Sequence, residues 1–189
     1  MRALLAKVAT LDVATLCPLH GPVWRKDIAW FASKYQQWSS YLPETDGVLI
    51  ACASVYGHTM NAAEKLAMAL RDAGAKEIAL YDLSVTDVSY VMADAFRFGK
   101  WALLAPTYNA GIFPPMEALL ADMKAHSLQN RRVALVENGS WAPVAGKLMR
   151  DALSGMKGME LVEPLVSIKS ALKPNEGAQL DALARALMA

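Results

Sequence analysis

The sequence is poor in the residues that build metal centres and covalent frameworks. It holds two cysteines and three histidines in 189 residues. Cys17 and Cys52 stand far apart in no CxxC pair, which excludes a disulfide-stapled scaffold and points to a reducing compartment. No apolar run approaches the roughly 18 residues of a membrane-spanning helix. Lys7 and Asp12 interrupt the opening MRALLAKVATLDVATLC, and no signal-type cleavage pattern follows it. Neither sign of charge dominates: Lys plus Arg total 19 against 18 for Asp plus Glu. That balance excludes a basic footprint for nucleic acid and an acidic tail. Also missing are the GxxxxGK[ST] of a nucleotide-hydrolysing loop and the GxGxxG of a dinucleotide site. What remains is a globular chain, 54% hydrophobic and 20% charged, expected in the cytoplasm, with no nucleic-acid or membrane partner.

From Gly47 onward strand-like runs alternate with helix-like ones. GVLIACA (47–53) is continuously apolar and of strand length. The next helix places Met60, Ala63, Ala67 and Leu70 on one face, with Gly74 set to end it. KEIALYDL (76–83) is a second strand, followed by a weaker helix over 87–96. KWALLAPT (100–107) is a third strand, and PPMEALLADMKAH a helix opened by prolines, with Met116, Leu119, Leu120 and Met123 on one side. RRVALVENGS (131–140) is a strand running into a polar turn, followed by a helix through Leu148, Met149 and Leu153. ELVEPLVSI (160–168) makes a fifth strand with Pro164 at an edge or bend. A helix bearing Leu180, Leu183 and Leu187 closes the chain. The pattern predicts an α/β fold, a five-stranded parallel sheet covered on both faces.

In such sheets ligands sit beyond the carboxyl ends of the strands, where the winding reverses. Three strand ends carry unusual loops: SVYGHT (54–59), PTYNAGIFPP (106–115) and ENGSWAP (137–143). For the strand order 2-1-3-4-5 they border one crevice. SVYGHT precedes a helix whose first amides lack partners and carry partial positive charge, so a phosphate there satisfies both. Gly57 allows a tight turn, Ser54 and Thr59 add hydroxyls, and the absence of Lys and Arg means neutral donors. The ordinary alternative is a plain N-cap made by Ser54 or Thr59. PTYNAGIFPP, with Tyr108, Asn109 and Gly111, is by itself a connection between strand and helix. Trp141 is either a packing residue or the wall of a planar pocket. Jointly the three loops point to a phosphorylated planar cofactor.

These residues resemble the three flavin-mononucleotide loops in the flavodoxin-like domain of flavodiiron proteins. Upstream, LCPLHGPVWRKDIAWFASKYQQWSSY is similar to the segment that closes the metallo-β-lactamase-like domain of that family. The resemblance implies a flavodoxin-like three-layer sandwich over 43–189, preceded by an arm over 1–42. It implies FMN as cofactor, with Ser54, Val55, Tyr56, Gly57, His58 and Thr59 at the phosphate. Pro106, Thr107, Tyr108, Asn109, Ala110 and Gly111 would border the isoalloxazine ring, and Asn138, Gly139, Ser140 and Trp141 would complete the site. The chain departs from the family at His58, where asparagine is usual, and at Ala105, where glycine is usual. Its third loop is poorer in glycine and tyrosine.

His20 aligns with an iron-binding histidine of the full-length family, but the HxExDH pattern is absent and three histidines supply too few ligands. No di-iron site is expected, nor oxygen or nitric-oxide reduction on this chain alone. In the arm, Trp24, Ile28, Phe31, Tyr35, Trp38 and Leu42 recur at the spacing of one helical face. This stripe is expected to pack on its own domain; burial against a second copy, giving a homodimer, is the alternative. The resemblance implies an FMN-dependent electron-transfer protein working between redox partners, a donor reductase or rubredoxin-like protein and an acceptor. Loops without Lys or Arg would disfavour the anionic reduced ring and keep its potential low. The rival readings are an FMN-dependent NAD(P)H or quinone reductase and a flavin module that needs a separately encoded metal domain.

Overall fold

The computed structural model describes residues 1–189, which divide into two compact units, Met1–Pro43 and Glu44–Ala189. In the first unit, α1 (Arg2–Val8) and α2 (Ile28–Ser39) are joined by a loop closed by an antiparallel bridge between Leu16 and Trp24. The aromatic stripe is a ladder of tilted rings: Trp24 to Phe31 at 4.7 Å, Phe31 to Tyr35 at 5.0 Å and Tyr35 to Trp38 at 5.4 Å. Trp24 and Leu42 lie outside the helix, so the stripe is shorter than its spacing predicts. The Gln37 amide donates to the Pro43 carbonyl at 2.7 Å and closes the unit.

The second unit is a three-layer α/β domain. Its parallel strands are β1 (Thr45–Cys52), β2 (Ile78–Asp82), β3 (Phe98–Tyr108), β5 (Arg131–Asn138), β6 (Met159–Leu161) and β7 (Val166–Ile168). A two-residue strand, β4 (Gly111–Ile112), pairs antiparallel with the end of β3. The order is β2-β1-β3-β5-β6, with β7 also on β5. The fifth strand of the expected 2-1-3-4-5 sheet is thus two short pieces. Pro164, which has no N–H to give a ladder, lies between them.

The apolar runs are continuous because both faces of the sheet are covered. Val48, Ile50, Cys52, Ala102, Leu104, Ala134 and Val136 point to the face covered by α3 (His58–Asp72) and α7 (Pro174–Met188). The alternate residues Leu49, Ala51, Trp101, Leu103, Val133 and Leu135 are also buried. They face the other layer, α4 (Val88–Arg97), α5 (Pro114–Ala125) and α6 (Ala145–Ser154). On α5 the expected face of Met116, Leu119, Leu120 and Met123 is buried. On α3 the buried face runs through Ala62, Ala63, Leu66 and Leu70, leaving Met60 and Ala67 half-buried at its margins. Gly74, at φ +100, ends that helix in the left-handed region glycine favours. Winding reverses between β1 and β3, whose ends are aligned by the Ala53 amide donating to the Leu104 carbonyl at 2.9 Å.

Candidate functional site

The first loop closes on itself and leaves the helix start open. Ser54 Oγ accepts from the Gly57 amide at 3.0 Å, so its oxygen is spent on the loop. Gly57, at φ +84, is the residue before α3, and no side chain caps that helix. Its first internal bond runs from the Asn61 amide to the Gly57 carbonyl at 2.9 Å. The amides of His58, Thr59 and Met60 therefore have no helical partner. The plain N-cap reading fails here because Ser54 reaches only Gly57 and Thr59 already belongs to the helix.

The second loop is a tight hairpin. Thr107 pairs with Ile112 and Tyr108 with Gly111, leaving Asn109 and Ala110 at the tip with φ of 48° and 56°. Two successive positive φ values match a type I′ turn, whose twist suits the flanking strands. The Thr107 hydroxyl oxygen is engaged within the protein. It accepts from the amides of Val144 at 2.9 Å and Ala145 at 3.1 Å, capping α6 from a neighbouring strand. The next amide of α6, Gly146, donates to Glu137 Oε2 at 2.8 Å, and Glu137 Oε1 accepts from Ser167 Oγ at 2.7 Å. Two helices start at the crevice, and only α3 keeps its amides free.

The third loop holds a clamp. The Asn138 side chain, almost fully buried, faces the backbone of Ser170: Oδ1 accepts from the Ser170 amide at 3.0 Å and Nδ2 donates to its carbonyl at 2.9 Å. Nδ2 also donates to Thr59 Oγ1 at 3.3 Å. The Gly139 amide donates to the Ile168 carbonyl at 3.0 Å. A Cβ on Gly139 would meet the Pro143 backbone at 3.0 Å, so the turn into Trp141 is tight.

These loops enclose a cavity of about 520 Å³, within the roughly 300–1,000 Å³ of small-molecule sites. Of the residues expected at the site, Val55, Tyr56, His58 and Thr59 line it from the first loop and Pro106, Thr107, Tyr108, Asn109 and Ala110 from the second. Asn138, Gly139, Ser140 and Trp141 line it from the third. Ser54, Gly57 and Gly111 do not; they shape the turns behind it. Ala142 and Ser170 also line the cavity. Ser170 lies two residues past β7, in a loop with no glycine or aromatic to mark it. Tyr56 is 87% and Trp141 93% exposed at the rim, while Tyr108 rests edge-on against Phe113 at 5.6 Å. No Lys, Arg, Asp or Glu lines the cavity. His20 is exposed in the first unit, and no three His, Cys, Asp or Glu side chains converge anywhere.

A doubly wound parallel sheet with its crevice between the first and third strand ends defines a flavodoxin-like domain. It is the kind of domain that flavodiiron proteins carry. The rubredoxin oxygen:oxidoreductase of Desulfovibrio gigas superposes with a TM-score of 0.90 at 24% identity, over 99% of this chain and 47% of that one. The flavodiiron protein of Giardia intestinalis gives 0.87 at 19% identity, over 99% and 46%. An archaeal flavodoxin gives 0.64 at 16% identity, over 75% and 96%. In sequence the chain is 28% identical to the nitric oxide reductase of Moorella thermoacetica over 157 residues, 82% of this chain and 38% of that protein. It is 27% identical to the rubredoxin-oxygen oxidoreductase of Megalodesulfovibrio gigas over 174 residues, 91% and 42%. The chain thus spans less than half the length of these two relatives. No protein-family model matches it.

Proposed function

We propose that the chain binds flavin mononucleotide in this cavity and acts as an electron-transfer module. The observation that carries the reading is the contrast between the two helix starts. The amides of α6 are consumed by Thr107 and Glu137, whereas those of α3 stay open at one end of a cavity rimmed by aromatic side chains. An uncapped helix start suits a phosphate dianion, and exposed rings suit a flat heteroaromatic. The amides of His58, Thr59 and Met60 would hold the phosphate, with Tyr108 and Trp141 beside the ring. Bound flavin supplies reversible electron transfer; the chain binds it, orients it and sets its environment. No cation lines the cavity, so negative charge arriving on the ring gains no nearby compensation, and the bound potential is expected below that of free flavin. Redox potentiometry of the complex checks that. The redox partners are a donor and an acceptor protein, in keeping with the rubredoxin named for the Megalodesulfovibrio relative.

The direct test is titration of the purified full chain with flavin mononucleotide, read by quenching of flavin fluorescence. Saturation at micromolar concentration or below is expected. Absence of quenching at tens of micromolar would remove the proposal.

A further inference from the structure

Asn138 sits where an ordinary site-lining amide would offer itself to the ligand, yet its side chain is 6% exposed and committed to the protein. Its orientation is fixed by an unambiguous neighbour. A backbone amide only donates, so the Ser170 N–H at 3.0 Å identifies the facing atom as Oδ1. The amino group must then face the Ser170 carbonyl and Thr59 Oγ1, at 2.9 and 3.3 Å. Thr59 is 2% exposed and lines the cavity at the open start of α3. With its oxygen accepting from Asn138, its own hydrogen turns away from Asn138, and no protein acceptor takes it.

We infer that Asn138 is a positioning residue: it holds the Thr59 hydroxyl as a donor into the cavity, making the site selective for a phosphate monoester over its unphosphorylated counterpart. The inference rests on the flavin reading above and deepens it. A phosphate oxygen at neutral pH is acceptor-only, so it matches a hydroxyl whose acceptor side is already occupied. A ligand hydroxyl can also donate, and loses that option here. The same amide ties Ser170, at φ +64, to the phosphate end of the cavity, joining the fifth strand end to the first loop.

The test compares flavin mononucleotide with riboflavin on the full chain, because both offer the same ring and only one carries phosphate. The unaltered chain is expected to prefer flavin mononucleotide by at least about a hundredfold, and Thr59→Val to cut that ratio about tenfold, the worth of one hydrogen bond to a charged group. Thr59→Ser should keep it. Asn138→Ala should lower the ratio by a factor close to that of Thr59→Val, weakening flavin mononucleotide more than riboflavin, and add nothing to Thr59→Val in the double variant. Asn138→Asp keeps the acceptor for Ser170 but presents a second acceptor to Thr59, drawing its hydrogen off the ligand. Its ratio should fall further than that of Asn138→Ala. Thermal unfolding of each variant establishes that it is folded. Equal loss of both ligands in Asn138→Ala, additive losses in the double variant, or an unchanged ratio in Asn138→Asp overturns the inference while flavin binding stands. Failure of the unaltered chain to bind either ligand overturns both.

Discussion

At the scale of single residues, the sharpest contrast lies between two arginines. Arg131 is 1% exposed, and its guanidinium donates to the carbonyls of Ala95 and Phe96 at 3.2 and 3.0 Å and to those of Gln129 and Asn130 at 2.9 and 3.1 Å. It also lies 5.7 Å from the Trp101 ring centre. Burial pulls its pKa down to about 10, so it stays charged at neutral pH, a cation at the carbonyl-rich end of α4. Arg150 makes a shorter bond, 2.6 Å to Glu163, but in the open, where screening and side-chain entropy leave such pairs worth less than about 1 kcal/mol. Arg131→Met strands buried carbonyls and should cost about 2–4 kcal/mol. Arg150→Met should cost under about 1 kcal/mol. Urea unfolding of both checks the ranking, and equal losses would show that burial does not set the value of these cations.

At the scale of elements, the sheet was legible in the sequence and its pinning was not. Leu49, Trp101 and Val133 share a register across β1, β3 and β5, and such runs announce themselves because strands covered on both faces need apolar residues at every position. The crevice followed from loop order, since SVYGHT, PTYNAGIFPP and ENGSWAP fall on adjoining strand ends. The bonds that organise those loops join Thr107 to Val144 and Asn138 to Thr59 and Ser170, across 30 residues or more. No local pattern encodes a partner that distant, so the sequence places Thr107 and Asn138 at the crevice without showing which protein groups Thr107 Oγ1 and the Asn138 amide bond. Gly47 was equally opaque. It starts the buried part of β1 beside a shift in register, and a Cβ there would clash with the edge of the Phe98 ring. Phe98 is fully buried and opens β3, so it has no room to give. Gly47→Ala is therefore expected to destabilise by about 1–3 kcal/mol, the usual cost of overpacking, although alanine is the better strand residue of the two. Thermal unfolding decides, and a gain in stability would mean that β1 and β3 can separate at this end without loss.

At the scale of the molecule, the pH dependence of stability should be lopsided. On the acid side, Asp46 is held below its usual range by its bond to Lys100, Asp87 by the Ser89 hydroxyl and amide, and Glu163 by Arg150. Depressed carboxylates contribute stability above their unfolded pKa and lose it as pH falls through the folded one. All three sit in the open, so water and salt keep that limb shallow. On the basic side, burial raises the Cys52 thiol to about 12, and burial with the Asp94 bond raises Tyr81 to about 12. The unfolded chain then releases these protons first, binds fewer than the folded chain, and stability falls as pH rises from the unfolded values toward 12. Arg131 works the other way from about 10 upward, because its folded form gives up a proton before the unfolded one. The clearest window is therefore about pH 8 to 9, where the unfolded Cys52 thiol begins to titrate ahead of the other groups. Unfolding free energy should decline across it, and Cys52→Ala should flatten the decline. A thiol reagent at pH 8 should modify the exposed Cys17 and leave Cys52 untouched until the chain unfolds. Rapid labelling of both cysteines in the folded chain would mean that the carboxyl end of β1 opens to water, and the packed sheet that aligns the three loops would then open with it.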